Sequence, residues 1–214
     1  MFPFLLDELT GDKRENLNRI FKFGPFPEPL LFGEEDFAMR WNRDYIHRLV
    51  EEDVASRLKN LIGSPISINA LREDLQVAHK TVAHWLEILE ALYFHFRIYP
   101  FGAPLIRAVK KEAKLYLFDW LPVQNQGYRF ENMIAFHLFK AICEKVDSTG
   151  EEWELRYFRD VDGREVDFLI THNGTAKFAV EAKVQDEKKH ISSLYIKKKF
   201  PDCAVYLVFL RARC

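Results

Sequence analysis

The chain has 214 residues, 48% hydrophobic and 29% charged, with only three Cys, which excludes disordered, collagen-like and disulfide-stapled classes. Its 31 Lys+Arg against 32 Asp+Glu leave a net charge of −1, so no overall field draws it to nucleic acid or to an anionic membrane. Nineteen Phe are a heavy aromatic load that predicts large contacts, within the chain or between chains.

In chain order, residues 1–35 carry Pro3, Pro25, Pro27 and Pro29 with Gly11, Gly24 and Gly33, which leaves room only for short helices and reads as a connecting segment. From Asp36 to Ile62, Phe37, Trp41, Tyr45, Leu49, Val54, Leu58 and Leu61 recur at helical spacing and predict one or two long amphipathic helices. After Gly63-Ser64-Pro65, a helix over Ile68 to Leu75, a turn at Gln76 to His79 and a helix over Lys80 to Leu92 form a helix-turn-helix. Tyr93 to Tyr99 and Lys114 to Phe118 then read as two strands joined by a loop. That order is the order of a winged helix, expected over residues 36–121. Beyond the boundary at Pro122 to Gly127, a helix over Tyr128 to Lys145 precedes strands at Trp153–Phe158, Val166–Ile170 and Phe178–Val184. A helix over Lys188 to Lys199 and a strand over Ala204–Leu210 complete an α-β-β-β-α-β order across 122–214. The fold class expected is therefore α/β, in the α+β sense, with two domains.

The longest apolar stretch, Ala91 to Pro104, is broken by His95 and Arg97, short of the ~20 residues a spanning helix needs. No basic leader precedes the N-terminal apolar run, and Cys143, Cys203 and Cys214 form no CxxC. A cytoplasmic protein without a membrane segment is expected. The seven His form no zinc pattern, and neither Gly-x-Ser-x-Gly nor GxGxxG occurs.

Chemistry concentrates in the second half. Alternation along Phe178-Ala179-Val180-Glu181-Ala182-Lys183-Val184 puts Glu181 and Lys183 on one face, roughly 6.6 Å apart along the strand. In Glu165-Val166-Asp167-Phe168-Leu169-Ile170, Asp167 faces away from Val166, Phe168 and Ile170, so a second carboxylate meets the first if the strands pair. Glu131 precedes Ile134, Leu138 and Ile142 on the apolar stripe of its helix, where a charge needs a partner and a metal would serve. Mg²⁺, or Mn²⁺, prefers such a site, held by one or two carboxylates and completed by water and phosphate oxygens. Taken singly, Glu-x-Lys is a common solvated strand pattern, Asp167 could serve a turn, and Glu131 could serve the helix dipole.

Asp167 followed by Glu181-Ala182-Lys183, with Glu131 upstream in this element order, resembles the PD-(D/E)XK nuclease superfamily, the restriction-endonuclease-like fold. Phe23-Gly24-Pro25-Phe26-Pro27-Glu28, Gly127-Tyr128-Arg129-Phe130-Glu131-Asn132 and Gly163-Arg164-Glu165-Val166-Asp167-Phe168 resemble, further, a family of uncharacterised domains found C-terminal to AAA-type ATPase modules. The resemblance implies a winged helix fused to a nuclease-like domain, in which Asp167 and Glu181 coordinate Mg²⁺ and Glu131 orients a metal water or completes the shell. Lys183 would position the attacking water or stabilise charge on the phosphate. The ATPase core's Gly-x-x-x-x-Gly-Lys-Ser/Thr is missing from the chain, so ATP binding through a P-loop is not expected. That implies a C-terminal piece of a longer ATPase or a short member of the family, with an ATPase module as partner.

For nucleic acid, DNA above all, Arg107, Lys110 and Lys111 in the wing are the expected backbone contacts, with Lys188 and Lys189 beside Lys197, Lys198 and Lys199 further on. The second helix of the helix-turn-helix offers His79, Lys80, Ala83, His84 and Glu87, a poor set for reading base edges. The leading expectation is a Mg²⁺-dependent nuclease. Its alternative is a catalytically silent regulatory or DNA/protein-interaction module of an ATPase, and a DNA-binding regulator acting through the helix-turn-helix alone comes third.

Overall fold

The computed structural model describes residues 3–49, 58, 62–102, 113–184 and 191–210. It is mixed α/β, with seven α-helices and six strands among the described residues, in two compact units. The first unit holds residues up to Arg97 together with Lys114–Met133, and the second holds Ile98–Ala113 and Ile134–Cys214.

The first unit opens with a 3-10 turn at Leu6–Glu8, then α1 (Lys13–Phe23), α2 (Pro27–Phe32) and α3 (Glu35–Leu49). Asp12 caps α1 by accepting the Glu15 N–H at 2.7 Å, satisfying one of the donors a helix start leaves open. The first 35 residues, expected as a connecting segment, instead bury Ile20, Phe23, Phe26 and Leu30 in this unit. Each such side chain withdrawn from water contributes roughly 1.5–3 kcal/mol.

Ser67 caps α4 (Ile68–Leu75), Gln76 ends it in the left-handed region, and α5 (His79–Ala91) follows. Leu71, Val82, Leu86 and Leu89 are the buried stripes of this pair, as the spacing predicts. The strands β1 (His95–Pro100) and β2 (Lys114–Leu117) are neighbours, and β2 also bridges Ile62 and Pro65 through Leu115 and Lys114. β1 passes from the first unit to the second after Arg97.

The helix α6 (Gln126–Thr149) likewise changes unit after Met133. In the second unit come β3 (Trp153–Arg159), β4 (Glu165–His172), β5 (Thr175–Lys183), α7 (Ile191–Lys199) and β6 (Ala204–Phe209). β3, β4 and β5 form an antiparallel meander, while β6 runs parallel to β5. A parallel pair cannot be joined by a tight turn, which is why α7 carries the chain between them. The end of β1 adds in parallel through Tyr99 opposite Arg156. Phe158, Val166, Leu169, Ala176, Ala179, Ile196 and Cys203 form the core, so α7 packs on the sheet through Ile196. The α-β-β-β-α-β order expected from the sequence is the order found.

Candidate active site

Asp167, Glu181 and Lys183 are carried by neighbouring strands of the second unit. The ladder pairs Phe168 with Val180, Leu169 with Ala179 and Ile170 with Phe178, and Asp167 and Glu181 are the next residues beyond its last pair. Alternation along each strand turns both to the face that Leu169 and Ala179 share. Leu169 and Ala179 lie on that face too and belong to the core cluster, so the two carboxylates stand at the end of an apolar floor.

Glu181 is 4% exposed, Asp167 is half-buried and Lys183 is exposed. Beyond Phe168 and Val180 the carboxylate replaces the ladder, because Asp167 Oδ2 accepts the Ala182 N–H at 3.0 Å. A side chain thus occupies a donor that a regular strand would give to a carbonyl, and this fixes the Asp167 rotamer.

The approach to Asp167 is equally fixed. Asp160 Oδ1 accepts the N–H groups of Asp162 at 2.9 Å and Arg164 at 2.8 Å, and Arg164 Nε donates to Asp160 Oδ2 at 2.8 Å. Burial would raise the Asp160 carboxyl, but hydrogen bonds from Arg164 and the Tyr195 hydroxyl outweigh it and hold it below the usual carboxylate range. The Arg164 guanidinium also pairs with Asp162 and lies 4.1 Å over the Tyr195 ring, tying the β3–β4 turn to α7. The sequence reading missed this clasp, although Asp160-x-Asp162-Gly163 is an Asx-turn pattern.

Glu131 belongs to the first unit. Its Oε1 accepts the Tyr116 hydroxyl at 2.7 Å and lies 3.8 Å from Lys114 Nζ, with the two charged side chains 14% and 2% exposed. The charge expected to need a partner therefore has protein partners from β2. Its neighbour Asn132, fully buried, accepts the Leu117 N–H at 2.8 Å and donates to the Leu117 carbonyl at 2.7 Å. Only its place in a motif had singled Asn132 out.

Among the described residues no group of three or more His, Cys, Asp or Glu is gathered to hold a metal. Asp167 and Glu181 nonetheless supply two hard oxygen donors on one face, a set that fits Mg²⁺ when water and phosphate complete the shell.

The expected nucleic-acid contacts Arg107, Lys110, Lys111, Lys188 and Lys189 lie outside the described residues. Lys197, Lys198 and Lys199 are exposed on the last turn of α7, where cations suit the helix dipole, and Lys199 Nζ also sits 4.7 Å over the Phe158 ring. On α5, His79, Lys80, His84 and Glu87 are exposed, followed by Ile88, Leu92 and Tyr93 at 42–44%.

Residues 126–211 match the model of a family described as a domain of unknown function (DUF4143), and residues 56–120 match a second domain of unknown function (DUF8612). Comparisons with curated proteins and with solved structures gave no match. The two matched segments meet near the start of α6, and no helix among the described residues is long and apolar enough to cross a membrane.

Proposed function

We propose that the second unit is a Mg²⁺-dependent phosphodiesterase of PD-(D/E)XK type acting on nucleic acid, DNA first, and that the chain works with an AAA-type ATPase module. The observation that carries this reading is the hydrogen bond from the Ala182 N–H to Asp167 Oδ2, which ties Asp167 to the segment that holds Glu181 and Lys183 on its two sides. The α-β-β-β-α-β order, with its parallel last strand, supports it.

In this reading Asp167 and Glu181 would hold Mg²⁺, which when bound would supply a water of lowered pKa and neutralise charge on the phosphate oxygens. Lys183 Nζ, exposed at the strand end, holds the attacking water or a non-bridging phosphate oxygen in line. The Asp160–Arg164–Tyr195 clasp and the Ala182 N–H keep Asp167 from turning away. Glu131, engaged by Lys114 and Tyr116, is assigned to fixing β2 against the start of α6.

The test is cleavage of plasmid and single-stranded DNA with Mg²⁺ or Mn²⁺, beside EDTA controls and a folded Glu181→Ala protein. Metal-dependent cutting that the variant loses supports the reading. A chain that neither cuts nor binds DNA or metal overturns it and leaves the interaction module. One observation favours that second reading: exposed Glu87 and Ile88 on α5, with Leu92 and Tyr93 just beyond its end, offer chemistry suited to a protein partner rather than to phosphates.

A further inference from the structure

The first unit contains a small cavity lined by Asn42, Tyr45, Phe94, Leu117, Asp119 and Pro122, with about 10 Å³ of free space, room for one water-sized group. Asn42, Phe94, Leu117 and Asp119 are buried, so the way in passes the half-buried Tyr45 and Pro122.

Asp119 supplies the only charge of the lining. Its carboxylate accepts two neutral donors, Asn42 Nδ2 at 2.6 Å and the Leu121 N–H at 3.0 Å, and it has no salt bridge among the described residues. The Arg129 charge pulls on it, but Arg129 Nε and Nη2 are bound to the carbonyls of Val123 and Leu121 at 2.7 and 3.1 Å. A buried charge is costly unless an ion stands against it. Two further oxygens reach the same space. Asn42 gives its N–H to Asp119 and keeps Oδ1 as an acceptor, and the Tyr45 hydroxyl donates at 3.5 Å to the Leu92 carbonyl, which leaves its lone pairs available.

We infer that this cavity is a monovalent-cation site, taken by one dehydrated K⁺ between the Asp119 carboxylate, Asn42 Oδ1 and the Tyr45 hydroxyl oxygen. One carboxylate balances one positive charge. Mg²⁺ keeps several of its waters and Ca²⁺ takes 6–8 oxygens, so neither suits a space of one water. An alkylammonium group would need further room for its carbon stem. K⁺ is close to a water molecule in size and gives up its shell where oxygen dipoles replace it. Phe94, Leu117 and Pro122 keep bulk water from the pair, so the attraction is little screened. The ion ties α3, which carries Asn42 and Tyr45, to the segment that follows β2, and it is independent of any catalytic role.

An ion held only by the native state raises stability with its concentration. Urea unfolding of the full chain at about pH 8, where Asp119 is ionised, tests this in KCl and in choline chloride of equal ionic strength. Choline is too large for the space and controls for chloride and screening. Asp119→Asn and Tyr45→Phe are run beside the parent chain, each checked by circular dichroism for a retained fold. The expected result is a parent midpoint that climbs with KCl and not with choline chloride, a difference lost in Asp119→Asn and reduced in Tyr45→Phe. Equal parent midpoints in the two salts, the behaviour of a cavity holding water only, overturn the inference. So does a K⁺ dependence that survives in folded Asp119→Asn or stands undiminished in Tyr45→Phe.

Discussion

Asn42 Nδ2 donates to Asp119 Oδ2 at 2.6 Å across 77 residues of sequence, inside the first unit. Asp119 is 5% exposed and also accepts the Leu121 N–H at 3.0 Å. Burial pushes its carboxyl up from 3.8 to about 6, against the pull of Leu121, Asn42 and the Arg129 charge. Tyr45, facing the same carboxylate, is pushed to about 12 by burial and by the Asp119 charge.

A folded-state value above the unfolded one means that the native chain binds the extra proton between about 4 and 6. Stability is therefore higher below about 4 and falls as pH rises through 6, by about 3 kcal/mol for this one group. Urea unfolding at a series of pH values will show the trend as a difference between the parent chain and Asp119→Asn. In the variant the Asn42 amide turns to keep its hydrogen bond, and the Asp119 contribution to the pH slope disappears.

Gly24 packs on the same carboxylate. Its φ is +81°, and a Cβ there would fall 2.7 Å from Asp119 Oδ1 and 2.8 Å from Leu121 Cδ1. Gly24→Ala is expected to cost about 1–3 kcal/mol, from both the backbone and the clash. A midpoint of denaturation within error of the parent chain would contradict this account of the Phe23-Gly24-Pro25 motif.

Replacing Glu131 by Gln keeps an acceptor for the Tyr116 hydroxyl but withdraws the negative charge from buried Lys114. The loss is expected to be about 3–5 kcal/mol with or without Mg²⁺. Glu181→Gln, with a 4% exposed carboxylate on the face that carries Asp167, should leave stability much less affected while abolishing any metal-dependent cleavage. Thermal melts in EDTA and in Mg²⁺ separate the two behaviours.

Much of this was legible from periodicity. The helix-turn-helix stripes at Leu71, Val82, Leu86 and Leu89 and the period-2 strands that carry Asp167 and Glu181 follow from local spacing, which one sequence displays. The burial of Ile20, Phe26 and Leu30 was hidden, because Pro and Gly mark turns and say nothing of what the short helices between them cover. Asn42 with Asp119, and Glu131 with Lys114 and Tyr116, are long-range polar pairs with no periodic signature. The need of Glu131 for a partner was readable from its place on an apolar stripe, whereas the partner's identity was not.

Asn132→Leu would leave both polar groups of Leu117 without the side chain that serves them, in a fully buried position. The expected cost is about 2–6 kcal/mol, since each orphaned backbone group costs about 1–3 kcal/mol. Hydrogen exchange at the Leu117 amide is the local readout, and it should accelerate in the variant more than at Leu86 in α5.

The Asn132 clamp also limits how the protein can grow. Asn132 serves the N–H and C=O of Leu117, and the Gly63 N–H takes the Leu115 carbonyl at 3.2 Å, so these groups of β2 are already bonded within the chain. A chain in search of a partner strand finds these positions of β2 already taken. An edge that could have seeded a filament is thereby closed from within the chain itself.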